Sequence, residues 1–360
     1  MTHVFVAPHP DDVALSCGGL IASLRELGQN VTILTVFSGT GQLDGLTTYQ
    51  REALGFGTKA VWPVTEAFNR SNIENDWSVY GDDGAAPPWA AHTDRLEATQ
   101  ADADAAAKRF WQRSSWYRRA SIRNESLAGQ AVIDTLPTQG AVYTDEVMEA
   151  AGAGELMARR RLEDERYAYF AEASIVFLDL ADAVFRGYDG GEQLLAKPRP
   201  DDAAPYQALQ REIARLEPQR VYLPLGIGGH VDHQLCREVG FGLLDESRRW
   251  VMPGPEYAGI VTFYEDFPYA WWRDFTRLED LTGSHAFELP AGVALAPEYA
   301  NIADQIERKI TGIGLYESQL GNLFGGRKPM ADAVRGFGRR VAELGAMPGF
   351  AERYWVTQRI

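Results

Sequence analysis

The sequence predicts an α/β fold: a Rossmann-like, mostly parallel sheet flanked by helices, with a long insertion after the second strand. Three observations predict it. The N-terminal region runs strand, helix, strand in about 35 residues, the signature of a βαβ crossover. The same alternation resumes near residue 156. Two clusters of histidine and aspartate, at 9–12 and 230–233, each closely follow an apolar, strand-like run.

The elements follow in order. Residues 3–8 (HVFVAP) form a short apolar run suited to a buried strand. The spacing over 17–27 predicts a helix, stopped by Gly28 with Gln29 and Asn30. Residues 31–37 (VTILTVF) are β-branched and apolar, a second strand. Such a unit crosses over right-handed and builds a parallel sheet. The rhythm then stops for residues 40–155. This stretch holds loop-like clusters (Gly81 to Gly84, Pro87-Pro88), five tryptophans (Trp62, Trp77, Trp89, Trp111, Trp116) and an Ala-rich, helix-like run at 94–113. Its basic run at 113–123 reads first as a solvated face, with an anion site or oligomer surface as the alternative. From 156 a helix leads into an apolar run at 175–180, then a helix over 205–216 and a strand over 220–223. A glycine-rich turn (226–229) opens a helix over 232–246, residues 259–264 read as a strand, and a helix is expected over 297–320. There is no internal repeat and no low-complexity linker. One α/β domain spanning 1–360, with 40–155 as its insertion, accounts for this pattern.

Composition excludes several classes. Apolar residues make up 45% and charged residues 24% of the 360, so a sizeable core is expected rather than disorder. Fifty acidic against 35 basic residues give a net charge of −15, a field that repels nucleic acid and anionic lipid. Two cysteines, Cys17 and Cys236, cannot make a disulfide framework and read as small buried residues. No apolar run approaches the roughly 20 residues of a membrane span. The N-terminus shows no basic region or cleavage site, so a cytoplasmic protein is expected.

The chemistry lies in the two clusters. His9-Pro10-Asp11-Asp12 follows the first strand, and ligands in open α/β sheets bind beyond the carboxyl ends of strands. His9 and Asp12, three apart across a strand-to-helix turn, can reach one ion. Gly18 and Gly19 are expected to let the following helix approach the sheet. His230-Val231-Asp232-His233 occupies the equivalent position after a later strand. Either cluster alone reads as a helix cap with a satisfied histidine; together they point to one site. His9, Asp12 and His233 make a two-histidine, one-carboxylate metal face with open positions. One divalent metal per chain is expected, Zn2+ first and Fe2+ as the alternative. Asp11 is then a spare carboxylate, placed to take a proton from water. His230, if protonated, would stabilise an oxyanion and then protonate the leaving amine. Asp232 would hold the His230 imidazole and raise its pKa. A nucleotide-binding reading fails because His-Pro-Asp-Asp stands where a phosphate loop would need glycines. A non-catalytic sugar-binding protein would have no use for Asp11.

The run Pro8 to Asp12 through Cys17-Gly18-Gly19, with His230 to His233, resembles the LmbE-like (PIG-L) zinc-dependent N-acetylglucosamine deacetylases. The resemblance implies removal of an N-acetyl group from an amino sugar or its glycoconjugate. The alternative is an amidase for a bulkier acyl group on a thiol or sugar conjugate. It assigns His9, Asp12 and His233 as ligands, Asp11 as general base and His230 as electrophile. Weaker matches are Arg160 to Asp164, Leu180 to Arg186, Tyr264 to Tyr269, and Lys309 through Ser318-Gln319. They suggest Arg160, Asp182 and Tyr264 as substrate contacts, although Arg160 could equally pair with Glu163 or Asp164. Two departures stand out: Val13 replaces a glutamate found in many members, and the insertion is longer than the family's usual connection. Its tryptophans read as a packed subdomain, a lid, a sugar-stacking wall or a homo-oligomer interface. His92 and His285 read as structural or exposed.

Overall fold

The computed structural model describes residues 1–40, 145–244, 261–281 and 287–359. The expected helix at 94–113, the basic run, the five tryptophans of the insertion, His92 and His285 lie outside the described residues. The chain divides into two compact units, Met1–Gly41 with Arg160–Ile360, and Gln42–Arg159. All that follows about the sheet and the site concerns the first.

Seven strands form one sheet: β1 (Thr2–Ala7), β2 (Asn30–Thr35), β3 (Ser174–Phe177), β4 (Arg220–Pro224), β5 (Val261–Tyr264), β6 (Val293–Asn301) and β7 (Ala351–Arg359). Their order is β3-β2-β1-β4-β5-β7-β6. The first five run parallel, and β7 and β6 add an antiparallel edge. Val4, Phe5, Val6, Ile33, Leu34, Leu223 and Phe263 are fully buried in the sheet, as strands covered on both faces require. The main helices are α1 (Asp12–Glu26), α2 (Asp145–Phe170), α3 (Ala203–Leu216), α4 (Val231–Leu244), α5 (Ile306–Ile313), α6 (Glu317–Phe324) and α7 (Arg327–Leu344). This is the Rossmann-like, mostly parallel sheet that the sequence predicts. β1 sends its crossover to β2 on one side while β4 and β5 extend the other. The order therefore reverses between β1 and β4, and a topological switch point of this kind opens a crevice beyond the strand ends.

Two expectations fail. The helix expected over 297–320 is instead β6, followed by the two short helices α5 and α6. Strand β6 is an edge with no apolar alternation, so its period is invisible in sequence, and an edge tolerates Pro297. Gly18 and Gly19 serve a neighbouring helix rather than the sheet. A Cβ on Gly19 would stand 2.6 Å from Ile302 Cγ2, and one on Gly18 would stand 3.1 Å from Lys309 Cγ, just before and within α5. There Lys309 Nζ donates to Glu352 Oε1 at 2.7 Å, while the Glu352 carboxylate accepts the Gly19 and Leu20 N–H groups at 2.9 and 2.8 Å. This buried knot ties α1, α5 and β7 together behind the first motif.

Candidate metal centre

Each motif residue stands just past the carboxyl end of a parallel strand. His9, Asp11 and Asp12 follow β1; His230, Asp232 and His233 follow β4; Asp266 follows β5. The turn after β1 is tight. Asp12 Oδ2 accepts the His9 backbone N–H at 2.7 Å, and Asp11 takes a left-handed backbone conformation, φ 106°, to start α1. Such a conformation in a residue other than glycine is strained, and strain of this kind clusters at functional sites.

Asp12 Oδ2 is the meeting point of the two motifs. His9 Nδ1 and His233 Nε2 each stand 3.4 Å from it. Ligand atoms that share an ion tetrahedrally at about 2.0–2.1 Å lie about 3.3–3.4 Å apart, and these two spacings match that value. The far nitrogens of both rings are already taken. His9 Nε2 faces Asp232 Oδ2 at 3.0 Å, and His233 Nδ1 faces Asp266 Oδ1 at 2.6 Å. Each carboxylate can accept one ring N–H, which turns the other ring nitrogen toward Asp12 as the one able to ligate, the arrangement that orients ligating histidines. Asp266 also accepts the Ile227 N–H at 2.9 Å, which fixes it. The ring nitrogens of His9, His230 and His233 come within 4.8 Å of one another, so His230 shares the cluster.

The electrostatics separate the two adjacent aspartates. Burial would raise both. For Asp12, His233 and His9 outweigh it and hold the carboxyl down to about 2. For Asp11 burial prevails over Arg160, and the Asp12 charge adds to it, pushing the carboxyl up to about 8. Burial opposes charge on His9 and His233 as well. The carboxylates around them win, and both imidazoles are raised. His230 is the exception: burial prevails over the Asp232 charge and lowers it to about 4.

Several expectations change here. Asp232 was assigned to His230 by sequence, but its carboxylate engages His9, Arg186 and the Ala183 N–H. What His230 receives from Asp232 is a backbone hydrogen bond, N–H to Nδ1 at 3.2 Å. His230 is therefore poised as a neutral imidazole with its proton on Nε2, not as the imidazolium expected. Tyr264 is no substrate contact: it is buried, and its hydroxyl donates to Val6 O at 2.8 Å across the sheet. Asp182 lies behind His9, its Oδ2 3.4 Å from Nε2 while its Oδ1 accepts the Val184 N–H. Arg160 reaches the site, donating to Pro10 O at 3.2 Å and standing 3.9 Å from Asp11 Oδ2. Sequence reading missed Asp266 and Tyr269, whose ring meets His233 edge-on at 6.0 Å. The signal for Asp266 was available, since it sits two residues past a strand on the same sheet edge.

Comparison with known proteins adds similarities to this geometry. Residues 4–67 match the family described as "PIG-L: GlcNAc-PI de-N-acetylase". A curated relative, the 2'-N-acetylparomamine deacetylase of Streptomyces fradiae, is 30% identical over 193 residues, covering 52% of this chain and 63% of that protein. The chain thus matches somewhat less than two thirds of that relative's length. Among solved structures, the zinc-inhibited form of teicoplanin deacetylase Orf2 aligns with TM-score 0.54 at 19% identity, over 100% of this chain and 99% of that one. The A40926 pseudoaglycone deacetylase Dbv21 aligns with TM-score 0.51 at 20% identity, over 99% and 97%. At these identities the likeness shows a shared fold. Among the described residues, no helix is long and apolar enough to cross a membrane.

Proposed function

We propose that this chain is a divalent-metal-dependent hydrolase that removes the N-acetyl group from an amino sugar or its glycoconjugate. The observation that carries the reading is the convergence of His9 Nδ1 and His233 Nε2 on Asp12 Oδ2, each ring backed by its own carboxylate. His9, Asp12 and His233 would hold the ion, with zinc the first candidate and ferrous iron the second. When bound, the ion supplies Lewis acidity, acidifying water and polarising the amide carbonyl.

The remaining residues divide the proton work. Asp11 Oδ takes the proton of the attacking water and passes it to the leaving amine. The His230 Nε2–H donates a hydrogen bond to the oxyanion developing on the acetamide carbonyl, its tautomer set by the Asp232 backbone N–H. Arg160 holds the Pro10 carbonyl and steadies the Asp11 turn. Substrate class rests on two supports. The Streptomyces fradiae relative acts on an N-acetylated paromamine, and a chain of net charge −15 suits a substrate that carries free amines.

The decisive experiment pairs two variants. Asp11→Asn should keep near-stoichiometric metal and lose about 10²–10⁴ in kcat for acetate release from N-acetylated amino sugars. His233→Ala should lose the metal itself. Turnover of Asp11→Asn close to that of the wild type would overturn the assignment.

A further inference from the structure

Behind His9 lies a second layer that the proposed chemistry does not use. Asp232, fully buried, turns Oδ2 to His9 Nε2 and Oδ1 to Arg186 Nη2, at 3.0 and 2.7 Å. Arg186 is held on every side. Its Nε donates to Asp202 Oδ1 at 2.9 Å, its Nη1 donates to Ala181 O at 2.9 Å, and its guanidinium lies over the Phe37 ring at 4.6 Å. Asp202, at the start of α3, is pinned in turn by the Tyr188 hydroxyl and the Arg199 N–H. An unbroken chain of charged hydrogen bonds thus runs from α3 to His9.

The arrangement has a specific consequence for His9. Two carboxylates compete for its Nε2, Asp232 at 3.0 Å and Asp182 at 3.4 Å. A planar guanidinium that bridges Asp232 and Asp202 fixes the Asp232 carboxylate in position and plane, so His9 has one defined acceptor and one defined ring orientation. A lysine ammonium has no fixed plane and would not impose one orientation on Asp232. We infer that Arg186 is a positioning residue for the metal centre, setting the orientation and tautomer of His9 through Asp232. This rests on the metal reading above and goes beyond it, since Arg186 acts on His9 through Asp232.

The test measures zinc binding by the chelator-stripped full chain, by competition with a chromophoric chelator, alongside thermal unfolding of the metal-free protein. Arg186→Lys should weaken zinc about tenfold and Arg186→Gln more, within the roughly 10–100-fold range for groups that support metal ligands. Asp202→Asn, which leaves the Arg186–Asp232 pair in place, should weaken it a few-fold and serves if the Arg186 variants do not fold. Arg215→Gln removes an exposed cation on α3 that pairs with Glu212 and should leave zinc affinity unchanged. Nitrogen-15 spectra of the histidines should show His9 losing its single tautomer in Arg186→Gln. Wild-type-like zinc affinity in a folded Arg186 variant, even one of lower melting temperature, would overturn the inference. Failure of the wild type to take up zinc or ferrous iron would instead overturn the metal reading, and this inference with it.

Discussion

Asp11 and Asp12 are adjacent, chemically identical and equally buried, yet one is pushed up to about 8 and the other held down to about 2. The difference lies in what each oxygen faces: two imidazoles for Asp12, and for Asp11 one guanidinium at 3.9 Å. The same logic predicts the pH response of metal binding. His9 and His233 are raised in the metal-free chain, so they hold protons that an entering ion must displace. Their contribution to metal-free stability is full below the unfolded value of about 6.5 and is lost as pH rises through the raised value. Asp11, raised to about 8, acts in the same direction. The gap in melting temperature between metal-loaded and metal-free protein should therefore widen from pH 6.5 to 8, and calorimetry in two buffers should show proton release on binding. A gap that narrows over that window would contradict the assignment. At the neighbouring histidine, His230→Ala should retain metal and lose about 10²–10³ in kcat, the loss expected for an oxyanion donor. Elemental analysis separates this from a ligand role.

At the scale of elements, the site depends on how closely α1 packs against its neighbours, because α1 begins at Asp12. The glycine pair sets that distance, and the two glycines should respond differently. On Gly19 an added Cβ meets the branched Ile302 at 2.6 Å, so Gly19→Ala should cost about 1–3 kcal/mol despite the better helix propensity of alanine. On Gly18 the nearest atom is Lys309 Cγ at 3.1 Å, a flexible side chain that can give way, so Gly18→Ala should lie within about 1 kcal/mol of the wild type. Denaturant titration of both variants checks the contrast. The Lys309–Glu352 pair beneath them is buried on both partners. Breaking it with Lys309→Met should cost more, about 3–5 kcal/mol, because Glu352 would keep its charge without a cation.

Across the whole molecule, the sheet order brings together loops some 220 residues apart in sequence, since β1 and β4 are neighbours at the switch point. The net charge of −15 acts at this scale too. It should draw cationic amino sugars toward the molecule, and that attraction is screened beyond a Debye length. We expect kcat/KM for a multiply charged amino-sugar substrate to fall several-fold between about 20 mM and about 0.3 M salt, and that for an uncharged N-acetylated sugar to change little. Equal salt dependence for the two would remove charge as a factor in substrate choice.

The sequence by itself determined the βαβ start and the two His/Asp loops at strand ends. These are local facts: strand-to-helix turns place residues one to four apart in predictable relation. Only the tertiary structure decided which carboxylate serves which ring. Asp232 lies two residues from His230 and 223 from His9, yet its side chain turns to His9 because Arg186 and the Ala183 N–H hold it there. Asp266 joins His233 for the same kind of reason, through the pairing of β4 with β5. Tyr264, motif-like in sequence, is buried because β5 is covered on both faces. The antiparallel edge was also invisible, since β6 lacks the alternation that marks a half-buried strand. Local chemistry is written in neighbouring residues; the partners that tune it arrive across strand pairings that no short window contains.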